Sequence, residues 1–289
     1  MKKISIFLAL VLLCGACLAG CNFLGGDKQD DAKHIYFGEY PQSVKADGVT
    51  VATEADERGY FLGSDGAYYA AVTAAPCWSE YKFSTGAAIT GGEVYYFKVE
   101  PIRWRVLSEN EDGTALLLCD SILANGAFDL EDNDYENSDL RVWLNAVFYL
   151  NAFDSEERMS ILTVTVDNSA ASTGAEDNPY ACEDTEDKVF LLSVAEVTGK
   201  TYGFSADPTK SDAVRRKQTT DYARASGVWM SEEEDYYGGG YWLLRSPRHH
   251  ASTFVCGVRP VGSVDYYDVD YGYSGIAPVV KIQMPVEAE

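Results

Sequence analysis

The stretch "YYFKVEPIRWRVLSENEDGTALLLCDSIL", Tyr95 to Leu123, decides how this chain is read. Its two apolar pieces, Tyr95 to Leu107 and Thr114 to Leu123, read as strands, and the polar, glycine-ended "ENEDG" between them reads as the joining turn. Strands joined so closely pair antiparallel. Working outward, "HIYFGEYPQS" from His34 begins the folded part, and beyond Leu123 the period changes. In "SDLRVWLNAVFYLNAF", Leu140, Trp143, Leu144 and Val147 follow i, i+3, i+4, i+7 spacing behind Ser138 as N-cap, which predicts a helix with those four facing the core. "DSEERMSIL" offers a second start, with Asp154 and Glu157 at capping-box spacing. "DKVFLLS" (Asp187 to Ser193) reads as a strand whose Ser193 caps a short helix with Glu196, and "TTDYARASG" as a short helix stopped by Gly227. From "YWLLRSP" (Tyr241 to Pro247) onward, short apolar pieces are broken by Gly, Pro and polar runs. The expected class is α+β: a small antiparallel sheet with short helices and long irregular loops.

The chain opens "MKKISIFLALVLLCGACLAGC": two lysines, an apolar run from Ile4 to Leu13, then small residues ending at Cys21. That is the pattern of a secretory signal, too short for a spanning helix. Leu18-Ala19-Gly20-Cys21 also resembles the lipobox of bacterial lipoproteins, which implies a lipidated Cys21. The expected organisation is a signal over 1–21, a flexible polar tether over 22–33 and a folded domain over 34–285, anchored to the membrane outside the cytoplasm. A formal charge of −22 repels phosphate backbones, so nucleic acid is not an expected partner. Four cysteines follow Cys21, at 77, 119, 182 and 256, with no C-x-x-C pair; they read as free thiols.

Catalytic and metal patterns are hard to find. Of the three histidines, His34 lies near the tether, and His249 and His250 are neighbours without supporting ligand spacing. "GGG" (Gly238 to Gly240) lacks the Lys-Ser/Thr of a phosphate loop and reads as a flexible turn. "SEEED" (Ser231 to Asp235) and "LEDND" (Leu130 to Asp134) hold the clustered carboxylates calcium takes, without the alternation of an EF-hand; they read as solvated loops. No cofactor is expected, calcium being the one alternative.

The segment "SVDYYDVDYGYSG", Ser263 to Gly275, is the most unusual: from Asp265 to Tyr273 seven of nine residues are Tyr or Asp. Only Val264 and Val269 look like core anchors, and five positions apart they cannot share one strand face. Two readings stand. One is a polar, Tyr-rich sheet edge; the other is a binding surface, since Tyr offers a large rigid face and a hydroxyl at low entropic cost. On the second reading the tyrosines are exposed and add little to folding.

Taken in order, "YFGEYPQS", "PIRWRVL", "ALLLCDSIL", "SDLRVWLN", "DKVFLLS", "DYARASG" and "YWLLRSP" resemble a family of bacterial extracellular domains, often lipoproteins, that end in a W-L-R-S-P segment and a Gly-Val-Arg-Pro close. That ending is similar to the C-type-lectin-like fold of formylglycine-generating (sulfatase-modifying) proteins, which implies a C-type-lectin-like core. Here the close appears as Gly275-Ile276-Ala277-Pro278, with Ala277 in place of Arg, while a "GVRP" at Gly257 to Pro260 comes too early and reads as chance. Some proteins of this fold carry a late segment diversified by a retroelement, and the Tyr/Asp stretch has that composition. The resemblance implies a surface-anchored binding protein for a protein or glycan ligand. Trp242, Arg245, His249 and His250 would join Tyr266, Tyr267, Tyr271 and Tyr273 at the rim, with Asp265, Asp268 and Asp270 as acceptors. The alternatives are a sulfatase-modifying-like or carbohydrate-active enzyme, or a structural envelope lipoprotein. No convergent nucleophile or acid–base cluster is visible in the sequence, so binding is the expectation.

Overall fold

The computed structural model describes residues 32–284, so the signal, Cys21 and all but the end of the tether lie outside the described residues. The chain is mixed and mostly β. Its first strands are β1 (His34–Val44), β2 (Val51–Ala55), β3 (Phe61–Gly63), β4 (Tyr68–Thr73), β5 (Val94–Glu109), β6 (Thr114–Cys119) and β7 (Ala124–Asn125). Later come β8 (Val164–Val166), β9 (Thr185–Asp187), β10 (Val189–Phe190), β11 (Trp242–Pro247), β12 (Phe254–Val258), β13 (Val264–Asp268), β14 (Gly275–Ile276) and β15 (Val279–Gln283). An eight-stranded sheet runs β10-β15-β6-β5-β4-β3-β2 with β1 also on β5, and a five-stranded sheet runs β13-β12-β11-β14-β7. The sheet is therefore not small: residues 45–93, to which the sequence analysis assigns nothing, add three strands.

The β5–β6 hairpin is as expected. Gly113 turns it at φ 78°, Asn110 N–H donates to Thr114 O, and Asp112 accepts from the Thr114 backbone and hydroxyl. β5 is the hub, pairing β4 through Val94–Lys98, β1 through its middle and β6 through Trp104–Glu109. The Ile276-Ala277-Pro278 step carries the chain from β14 in one sheet to β15 in the other. It runs beside the β6–β7 step, which makes the same crossing: Cys119 N–H donates to Pro278 O and Leu123 N–H to Ile276 O. One apolar core fills the space between, with Trp104, Leu117, Val280, Trp242, Leu244 and Val255 among its buried members.

The helices start where their caps say. Ser138 Oγ accepts from Arg141 N–H ahead of α1 (Asp139–Trp143), and both capping boxes form, Asp154–Glu157 at α3 (Ser155–Ser160) and Ser193–Glu196 at α4 (Val194–Val197). The buried face departs from expectation at one residue. Between α1 and α2 (Tyr149–Ala152) lies a π-turn, Leu144–Phe148, in which Tyr149 N–H reaches Leu144 O. The extra residue advances the face, so Phe148 is buried and Val147 is exposed, against the 3.6-period expectation. The last helix, α5 (Asp221–Ser226), is capped by Thr220 and stopped at Gly227, as read.

Candidate ligand-binding cleft

The Tyr/Asp segment forms β13, the edge strand that pairs antiparallel with β12: Gly257 faces Asp265, Cys256 faces Tyr266 and Val255 faces Tyr267. Alternation along β13 sends Tyr266 and Tyr267 to opposite faces. Tyr267 lies across Gly257, where a Cβ would stand 3.1 Å from its ring and 2.9 Å from Trp242 O. The "GVRP" glycine is thus required by a close approach and is no accident of composition. Gly262 closes the turn at φ 86°, pressed onto the backbone of Asp212 and held through its carbonyl by Arg215.

Laid over Gly257, the Tyr267 ring stacks on Tyr241 at 3.9 Å between centroids and 6° between planes. Tyr241 continues to Trp229 at 5.5 Å and to Tyr271 at 5.9 Å, and Tyr271 meets Tyr273 edge-on. Tyr267, Tyr241 and Trp229 wall a cleft of about 250 Å³ whose lining adds Ser231, Glu233, Tyr236, Arg259, Pro260 and Asp265. Arg259 and Asp265 pair at 3.5 Å. The far wall is fixed from before the β5 hub: the Tyr81 hydroxyl donates to Met230 O and accepts from Met230 N–H, both at 2.9 Å, while Trp229 N–H donates to Tyr273 O. Burial, then Asp265, raises the Tyr267 hydroxyl pKa, so it stays a neutral donor and acceptor at physiological pH. The buried Tyr241 hydroxyl has no hydrogen-bond partner among the described residues.

The expected site residues divide into three groups. Asp265 and Tyr267 line the cleft, and Tyr271 and Tyr273 extend its stack. Tyr266 lies on the other face of β13 against Phe254 and under the Arg248 guanidinium, 3.3 Å from its centroid. His249 and His250, ring to ring at 4.3 Å with His249 on Asp177, occupy the β11–β12 connection, the opposite end of the hairpin from Arg259; Asp268 and Asp270 are exposed nearer that end. Trp242 and Arg245 are not at the rim. Trp242 is fully buried and donates to Arg215 O. Arg245, also buried, donates to Leu191 O, Asp167 O and the Glu196 carboxylate, tying β11 to the α4 cap, which Ser246 Oγ completes by accepting from Val194 N–H. The W-L-R-S-P segment is therefore scaffold. Of the tyrosines expected to be dispensable for folding, Tyr266 and Tyr273 are exposed, whereas Tyr267 and Tyr271 are half-buried in the stack. Val269 is buried and Val264 packs half-buried on the core, as anchors should.

Sequence reasoning missed Trp229, Ser231, Glu233, Tyr236, Tyr241 and Arg259. A signal existed: "SEEEDYYGGGY" (Ser231 to Tyr241) has the same Tyr-and-acid composition as the stretch that was singled out. The glycines there are more than a flexible turn. A Cβ on Gly240 would meet Ile122 and Thr219 within 3 Å.

The four later cysteines are free thiols, and burial raises each: Cys119 and Cys256 to about 12, Cys182 to about 11, and Cys77 upward. None is a ready thiolate near neutrality. Carboxylates in and just before the LEDND loop serve the local backbone: Asp129 accepts from Glu131, Asp132 and Asp139 N–H, Asp132 from Asp134 N–H and Asp134 from Glu136 N–H. Among the described residues no three His, Cys, Asp or Glu side chains gather to hold a metal.

Residues 112–284 match the profile of a domain of unknown function (DUF6273), well over half the chain, and the chain belongs to that family. No curated protein and no solved structure matches it. The matched span carries Trp229 to Tyr273 but not Cys77, Trp78 or Tyr81, which come from the chain before it.

Proposed function

We propose that this family member is a ligand-binding protein, built on a C-type-lectin-like scaffold and held at the outer face of a bacterial membrane by a lipidated Cys21. Its site is the Tyr267–Tyr241–Trp229 cleft, and the observation that carries the reading is that stack. A concave, ring-lined hollow with a few convergent polar groups is the usual form of a small-ligand site. Here the polar groups are Ser231, Glu233, Arg259 and Asp265. The unpartnered Tyr241 hydroxyl is a cost of about 1–3 kcal/mol of the kind found where function constrains packing. Retroelement diversification would fall on the exposed Tyr266, Asp268, Asp270 and Tyr273 and spare the stacked Tyr267. The binding reading calls on no cofactor. An enzymatic reading finds less support: no thiol is poised, Glu233 is exposed and Asp265 is paired with Arg259, so neither carboxylate sits in the apolar pocket that makes a general acid.

The test is to pass the purified protein over glycan arrays and intact cells, with Tyr267→Ala and Trp229→Ala beside wild type. Each variant should bind at least about tenfold more weakly, roughly 1.4 kcal/mol, while circular dichroism shows the fold retained. Folded variants that bind as wild type does would refute the site.

A further inference from the structure

The cleft under Tyr267 is one half of a longer groove. A second hollow, about 360 Å³, is lined by Trp78, Trp229, Met230, Ser231, Glu232 and Glu233, and shares Trp229, Ser231 and Glu233 with the first. Trp78 is 57 % exposed, although the segment that carries it is well anchored. Tyr81 is pinned to Met230, Ala75 N–H donates to Ala225 O, and Tyr81, Phe83 and Ile89 form a small core with Phe97 and Met230. One exposed indole is ordinary, but this one borders a hollow that shares Trp229 with the cleft, and contiguous exposed aromatic surface marks a binding groove. Aromatic surface therefore continues from Tyr267 and Tyr241 through Trp229 to Trp78.

We infer that this groove takes a neutral oligosaccharide of more than one ring, the first sugar against the Tyr267–Tyr241–Trp229 stack and the next against Trp78. The inference rests on the proposed binding site and names its ligand class. The walls offer three carboxylates, Glu232, Glu233 and Asp265, and one guanidinium already paired to Asp265. Carboxylates only accept hydrogen bonds, so the ligand must be rich in donors and free of negative charge, which a formal charge of −22 reinforces. Sugars combine hydroxyl donors with flat C–H faces that lie on aromatic rings. A basic peptide also supplies donors and could lay cations on the rings, but its ion pairs to exposed carboxylates contribute little and are screened by salt, whereas a sugar uses its hydroxyls and its flat faces together without depending on charge.

The experiment is isothermal titration of the purified protein with neutral glucose, galactose, mannose and N-acetylglucosamine oligomers of one to six rings, and with a Lys/Arg-rich peptide, at low and high salt. At least one sugar series should bind more tightly as rings are added, then level off, with little salt dependence. Trp78→Ala should weaken the longer oligomers about tenfold and leave the monosaccharide unchanged, with Trp78→Phe restoring most of the loss; Tyr267→Ala should weaken every length. Length-independent affinity, an inert Trp78→Ala, salt-sensitive binding of the peptide alone, or no sugar binding would each overturn the inference. The broader site reading survives those results if Tyr267→Ala still abolishes capture on cells, and falls only if that variant is also without effect there.

Discussion

Lys217 is an unusual residue for the interior of this chain. It is buried, donates from Nζ to Cys119 O and stands 5.2 Å from the Trp242 ring centroid. Burial lowers its pKa to about 8. An unfolded lysine titrates near 10.4, so between about pH 8 and 10 the unfolded chain binds more protons than the folded one. Stability contributed through this group then rises with pH across that window and is at its lowest, and flat, below pH 8. Urea unfolding of wild type and Lys217→Met at pH 7, 8.5 and 10 should show wild type gaining on the variant by on the order of 2 kcal/mol. Parallel pH profiles would mean the amine is not desolvated. Nothing local in "RRKQTT" marks this lysine as buried, because its burial is made by β6 and β11.

Among the elements, the helix caps were the most legible parts, since a cap is a three-residue event that sequence spacing contains whole. They are unequal in what they support. Asp154 caps only α3, whereas Glu196 both caps Ser193 N–H and takes the Arg245 guanidinium at 2.5 Å. Asp154→Ala should cost about 1 kcal/mol. Glu196→Ala should cost more, about 2–3 kcal/mol, because it also strands a buried cation; full losses of 3–5 are tempered by the partial exposure of Glu196. Chemical denaturation of the two variants measures the difference, and equal losses would show that Arg245 is satisfied by its backbone carbonyls alone. The π-turn at Leu144–Phe148 was not legible. Leu140, Trp143, Leu144 and Val147 fit an uninterrupted helix, and only packing of Phe148 against Tyr40 and Phe153 selects the shifted face.

At the scale of the whole molecule, the chain is strongly acidic, and among the described residues no helix is long and apolar enough to cross a membrane. On the proposed reading, attachment rests on a lipidated Cys21, which lies outside the described residues. Replacing it with Ala and fractionating cells should move the protein from the membrane to the soluble fraction, because the domain would keep no acyl chain to hold it. Retention of Cys21→Ala at the membrane to the same extent would rule out the lipid anchor.

By itself the sequence determined the local pieces: the Tyr95–Leu123 hairpin, the capped helix starts, the mix of strands and short helices, and a Tyr/Asp segment too polar for a core. Each depends on residues within one or two turns of each other, where spacing and propensity act directly. Only the tertiary structure decided which side chains form the site. Tyr267 reaches Tyr241 across a glycine, Trp229 arrives from another loop, and Trp78 comes from about 150 residues earlier in the chain. Trp242 and Arg245 go the other way, inward, because β11 runs through the core, where a donor-rich side chain is tolerated only if carbonyls and carboxylates meet it. Burial and ring stacking are settled by partners distant in sequence, and a local pattern does not contain them.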